Sequence, residues 1–140
     1  MNEEINKKLF WGYAALILAI VIIIILIILV SSQPKEKEKI TLKDGTILSS
    51  EYCNKLPKIM IIHMTGCSAC AIAVPRLQEL ERELNLSFSY YDLAIEKDKE
   101  AVLNLNLIPE AVPTVIIDCK TYVGVKSKEE YKNAIINQNG

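Results

Sequence analysis

From Leu9 to Val30 the chain reads LFWGYAALILAIVIIIILIILV, twenty-two residues without a charged side chain. As a helix rising about 1.5 Å per residue, this run is roughly 33 Å long, against a hydrocarbon core of about 30 Å. A cleavable signal peptide carries a shorter apolar region, roughly 7–15 residues, followed by a small-residue cleavage site. The run here is longer, and LVSSQP is a poor cleavage site. The expected organisation is therefore a short tail (1–8) followed by a retained transmembrane anchor (9–30). Trp11 and Tyr13 fall near the start of the anchor, where interfacial aromatics sit.

The chain has 140 residues, enough for one domain plus an appendage. Lysine and glutamate alternate in KEKEK (35–39), the pattern of a solvated spacer, so 31–39 reads as a charged linker. Residues 40–140 are left to build one small core. The formal net charge is −1, with no basic patch interleaved with aromatics. Nucleic acid is excluded as an expected partner on that ground.

Within 40–140 the pattern alternates between strands and helices. ITLKDGTILSS turns at Asp44-Gly45, a hairpin or turn signal. KIMIIHM (58–64) is a short aliphatic run of buried-strand type. From Ser68 a helical pattern places Ile72, Val74, Leu77, Leu80 and Leu84 at helical spacing, ending at Asn85. LSFSYYDL (86–93) alternates like a strand, and EKDKEAVLNLNL (96–107) reads as a second helix. Thr114 to Asp118 form a β-branched strand after Pro113, and TYVGVK (121–126) follows at hairpin distance. Ser127 and Glu130 make a capping box for a last helix. A parallel βαβ unit followed by a hairpin and a helix is an α/β three-layer sandwich.

On this frame Cys67 falls at a strand-to-helix junction and Cys70 lies one turn into the helix. Residues three apart share a helix face, at a Cα separation of about 5–5.5 Å that a disulfide permits. The first helical N–H groups lack internal partners and favour a thiolate at Cys67. Such sites lower a cysteine from about 8.5 to roughly 3.5–7.5. Cys67 is thus the expected attacking sulfur and Cys70 the buried resolving one.

At this point the chain resembles the thioredoxin-fold family, nearer its short glutaredoxin-like members than thioredoxin itself. The resemblance covers about residues 55–137 and rests on CSAC at a strand–helix junction, Pro75 five residues after Cys70, and VPT (112–114) before the third strand. It implies a thioredoxin-like α/β/α sandwich with a mixed sheet behind the anchor, and thiol–disulfide exchange with protein substrates through Cys67 and Cys70. It further implies that Pro113 is cis and lies against the active pair, while Val112 offers its backbone to the substrate chain. Ser68-Ala69 replaces the family's usual intervening dipeptides, so their potentials do not carry over. Gly66 stands where thioredoxin has tryptophan. Ile61 stands where thioredoxin has its buried acid, which removes the usual internal proton acceptor.

The same resemblance puts Cys53 and Cys119 at the sheet end opposite the active pair, where they can form a structural disulfide; two separate thiols are the alternative. A second disulfide in a domain of about 100 residues goes with an oxidising compartment. No organic cofactor is implied, since two sulfurs carry both electrons, and no metal is expected. A Cys67–Cys70–His63 thiolate site lacks the spacing of a zinc ribbon or finger, and His63 reads as an ordinary strand residue. Two functional alternatives stand beside exchange: a non-enzymatic binding or assembly module built on the same fold and, behind it, a thiolate metal-binding protein. The expected partners are protein thiols and disulfides, a redox partner that recharges the pair, and the lipid bilayer.

Orientation is the least direct expectation. Lys7, Lys8 and the terminal amine flank one side of the run, while Lys35, Lys37, Lys39 and Lys43 flank the other. Charge alone would leave the domain in the cytoplasm. The very short tail and the second disulfide argue the reverse: a cytoplasmic N-terminus and an extracytoplasmic domain.

Overall fold

Four consecutive aliphatic residues, Ile59 to Ile62, decide the architecture. All four are buried, so their strand must be covered on both faces. The computed structural model describes residues 2–31 and 39–137. The chain divides into two units, Met1–Lys37 and Glu38–Gly140.

The first unit holds one helix, α1 (Asn2–Ser31). Its described side chains, among them Leu16 to Val30, are all exposed. Among the described residues, no helix is long and apolar enough to cross a membrane. The anchor expected over 9–30 includes residues 9, 10, 12, 14 and 15, whose side chains lie outside the described set. The charged linker expected over 31–39 lies outside it too, apart from its two ends.

The second unit is a mixed α/β fold. Its elements run β1 (Ile40–Leu42), α2 (Ser50–Cys53), β2 (Ile59–His63), α3 (Ser68–Leu84), β3 (Ser89–Asp92), α4 (Glu96–Asn104), β4 (Leu107–Pro109), β5 (Thr114–Ile117), β6 (Lys120–Val123) and α5 (Lys128–Ile136). Four strands form a mixed sheet in the order β3-β2-β5-β6. β2 is parallel to β3 and antiparallel to β5, and β5 is antiparallel to β6.

The two-residue period of β2 and β5 divides the core. Ile59, Ile61, Val115 and Ile117 meet Leu77 and Leu80 of α3 and Tyr131 and Ile135 of α5 on one face. Met60, Ile62 and Ile116 meet Leu42, Val102 and Leu107 on the other. Fully burying each such side chain contributes about 1.5–3 kcal/mol. The sheet is thus the middle of three layers.

Four local expectations are corrected. The Asp44-Gly45 segment is a turn, closed by Thr46 N–H donating to the Lys43 carbonyl, but makes no hairpin. β1 instead pairs in parallel with β4, more than sixty residues on, Ile40 opposite Leu107. The helix expected over 96–107 ends at Asn104, because Leu107 is wanted in that pairing. The buried stripe of α3 is Cys70, Ala73, Leu77 and Leu80, with Ile72 about half exposed. The helix phase is set by burying Cys70. The strand expected over 86–93 is confined to Ser89–Asp92. Asn85 ends α3 with φ 50°, and the Ser127–Glu130 capping box opens α5.

Candidate functional site

The turn between β2 and α3 carries the cysteine pair. Gly66 has φ +87°, a conformation side-chain-bearing residues rarely adopt, which lets the chain reverse just before Cys67. Cys67 is the N-cap of α3, in extended conformation, and its Sγ accepts from the Cys70 N–H at 3.1 Å. Its side chain does what serine does at most helix starts, satisfying a donor the helix leaves open.

The two thiols are placed in different surroundings. Cys67 is partly exposed, while Cys70 is 3% exposed. The Cys67 thiol is lowered, chiefly by the hydrogen bond from the Cys70 side chain, with the Cys70 and Ala69 N–H groups adding to it. Burial first, then the hydrogen bond with Cys67, pushes the Cys70 thiol up to about 11. A reachable sulfur favoured as thiolate beside a buried one kept protonated can form a mixed disulfide and then resolve it.

The segment before β5 reaches the same place from forty-five residues away. The Cys67 thiol points at the Val112 carbonyl at 3.7 Å, and the Val112–Pro113 peptide is cis. The Thr114 hydroxyl donates to the Ala111 carbonyl at 2.6 Å, and Gly124 N–H to the Pro113 carbonyl at 2.8 Å. Those bonds hold Val112 and Pro113 against the cysteine turn. The structure therefore brings Cys67, Cys70, Val112 and Pro113 together.

Cys53 and Cys119 are joined at the other end of the sheet, with Cα atoms 5.3 Å apart. Cys67 follows the C-terminal end of β2 and Cys119 that of β5, and the two strands are antiparallel. Asp118 and Cys119 take positive φ values of 42° and 75° in the tight β5–β6 turn. The Cys119 carbonyl accepts from Leu48 N–H at 2.8 Å, bringing the α2 region within reach.

His63 ends β2, edge-on to Tyr90 with ring centroids 6.4 Å apart. Among the described residues the grouping of metal-ligand type is Cys53, Asp118 and Cys119, and its two sulfurs are bonded to each other. It does not include His63, Cys67 or Cys70.

Sequence reasoning passed over Asp92. It ends β3 in parallel register with His63 and is 8% exposed. Its carboxylate accepts from Thr65 N–H and Ala94 N–H, each at 2.9 Å, and also from the Thr65 hydroxyl. The Thr65 hydroxyl foremost, then the two N–H groups, hold its carboxyl down at about 2. The sole hint in the sequence is an acid ending an otherwise half-buried strand in SYYDL.

No family model matches the chain, and no curated protein does. Among solved structures, the chain is similar to a mutant of a thioredoxin-like protein, at 20% identity and TM-score 0.40, over 59% of this chain and 97% of that one. It is also similar to a glutaredoxin from Archaeoglobus fulgidus, at 18% identity and TM-score 0.41, over 64% of this chain and 97% of that one.

Proposed function

We propose that this chain is a membrane-anchored thiol–disulfide oxidoreductase whose thioredoxin-like domain acts on protein thiols and disulfides. One observation carries the reading: the Cys67 sulfur caps α3 beside the Val112 carbonyl while Cys70 is buried behind it. In the reducing direction, the Cys67 thiolate attacks one sulfur of a substrate disulfide. A Cys67–substrate bond forms, the substrate S–S bond breaks, and the second substrate sulfur leaves as thiolate. Cys70 then gives up its proton and attacks Cys67, releasing the first substrate sulfur. The substrate gains two electrons and the enzyme ends as a Cys67–Cys70 disulfide, which a redox partner reduces. The oxidising direction is the same sequence reversed.

In this reading the Val112 backbone, whose carbonyl lies beside Cys67, meets an extended substrate chain, with Pro113 buried next to it. The uncharged run 9–30, several of whose side chains lie outside the described set, is taken as the anchor on its sequence alone. The domain faces an oxidising space outside the cytoplasm, where Cys53–Cys119 serves as its permanent disulfide. No organic cofactor is needed.

An insulin-reduction assay, run alongside trapping with Cys70→Ser, tests the reading. Turnover by the natural protein, with mixed disulfides accumulating on the variant, supports it. A folded protein that neither turns over insulin nor traps partners is a binding module instead.

A further inference from the structure

Asp92 has no part in the exchange reaction as written, yet it is the one charged side chain buried among the described residues. All three bonds its carboxylate accepts go to two short connections. Two come from Thr65, two positions before Cys67, and one comes from Ala94 in the turn into α4. The Asp92 N–H donates to an Asp98 oxygen at 3.1 Å, in the first turn of α4. The next residue, Leu93, donates to the His63 carbonyl at 2.8 Å. A continuous set of bonds thus runs from α4 through the end of β3 to the residue before Gly66. Glycine is the residue freest to wander, so the turn it makes needs a fixed point on its upstream side. Thr65 is that point, and Asp92 holds it.

We propose that Asp92 is a positioning residue for the cysteine pair: by gripping the N–H and hydroxyl of Thr65, it fixes the Thr65–Gly66 turn that sets Cys67 at the start of α3. The inference rests on the oxidoreductase reading for its purpose and on these bonds for its geometry. The charged or titratable groups facing Asp92 are His63 from β2, Cys70 from α3 and Asp98 from α4. The carboxylate stays ionised through the neutral range, so its charge also opposes a thiolate at Cys70.

The test is the pH dependence of Cys67 alkylation by iodoacetamide in the reduced, full-length protein. Thr65→Val removes the hydroxyl while keeping the side-chain volume, and Asp92→Ala removes the grip altogether. Each should raise the Cys67 midpoint toward that of a free cysteine and slow alkylation at neutral pH by about tenfold. Thr65→Ser, which keeps the hydroxyl, should restore the natural rate. Asp92→Asn, measured in a Cys67→Ser background, should lower the Cys70 midpoint relative to Cys67→Ser alone. Natural Cys67 midpoints in both folded Thr65→Val and Asp92→Ala would overturn the proposal. If Asp92→Ala does not fold, the Thr65→Val and Thr65→Ser pair decides it. These titrations read the thiols whether or not the chain exchanges disulfides. A natural protein that neither turns over insulin nor, as Cys70→Ser, traps partners therefore sinks the oxidoreductase reading without silencing this experiment.

Discussion

The backbone nitrogen of Cys70 lies 3.1 Å from the sulfur of Cys67 and donates to it, while the Cys70 thiol itself is held protonated. One residue thus supports the other's charge and withholds its own. Cys67 should react with iodoacetamide near neutral pH well before Cys70. Because the Cys67 thiol is lowered and Cys70 raised to about 11, the difference should persist into mildly alkaline solution and narrow only as pH approaches that upper value. Equal rates for the two thiols across the neutral range would contradict the assignment. Mass spectrometry of partly alkylated protein reads both.

Cys67→Ser should abolish exchange, since no reachable thiolate remains. Cys70→Ser should leave the first attack intact and stop resolution, so covalent partners accumulate on Cys67. Non-reducing gels that show no such adducts with Cys70→Ser would favour a scaffold role.

Cys53 and Cys119 close a loop between positions 66 apart. Chain-entropy estimates put a crosslink of that span at about 4 kcal/mol. Cys53→Ala paired with Cys119→Ala should therefore lower the thermal midpoint markedly while leaving exchange by Cys67 and Cys70 intact. Peptide mapping without reductant checks the bridge directly; separately alkylated Cys53 and Cys119 in oxidised protein would remove it.

Asp92 makes the fold sensitive to acid. Its folded-state carboxyl sits near 2, below an unfolded value of about 3.9. Its contribution is therefore present above the unfolded value and lost as pH falls toward 2. Urea midpoints measured against pH should fall more steeply over that window in the natural protein than in Asp92→Asn. Parallel curves for the two proteins would show that the residue contributes nothing to acid stability.

Topology can be tested on intact cells or spheroplasts. With the protein reduced beforehand, an impermeant maleimide should label Cys67 before lysis. Labelling that appears only after lysis would place the domain in the cytoplasm and end the extracytoplasmic assignment.

What the sequence made legible follows the range of the interactions involved. The cysteine junction, the Ser127 capping box and the Asn85 helix end are local devices, each written within a few residues, and the structure has the helix boundaries where they point. β2 and β5 announce themselves because burial on both faces leaves an unbroken aliphatic run. β1 and β4 are three residues each, too short for a period to show, and they exist because each supplies the other's backbone partners across the fold. α2 is a single turn whose place is tied to Cys119. The role of Asp92 was hard to read for the same reason. Its meaning depends on Thr65, twenty-seven residues earlier, which only the parallel register of β2 and β3 brings beside it.

The antiparallel pairing of β2 with β5 has a chemical consequence of its own. A molecule that carries both a nucleophilic thiolate and a permanent disulfide risks attacking itself, scrambling the bond that holds it together. Here the five residues of β2, about 16 Å of extended backbone, stand between attacker and target within a sheet sealed on both faces. On the proposed oxidoreductase reading the core works as insulation: Cys67 attacks disulfides that reach it from outside while its own lies out of range.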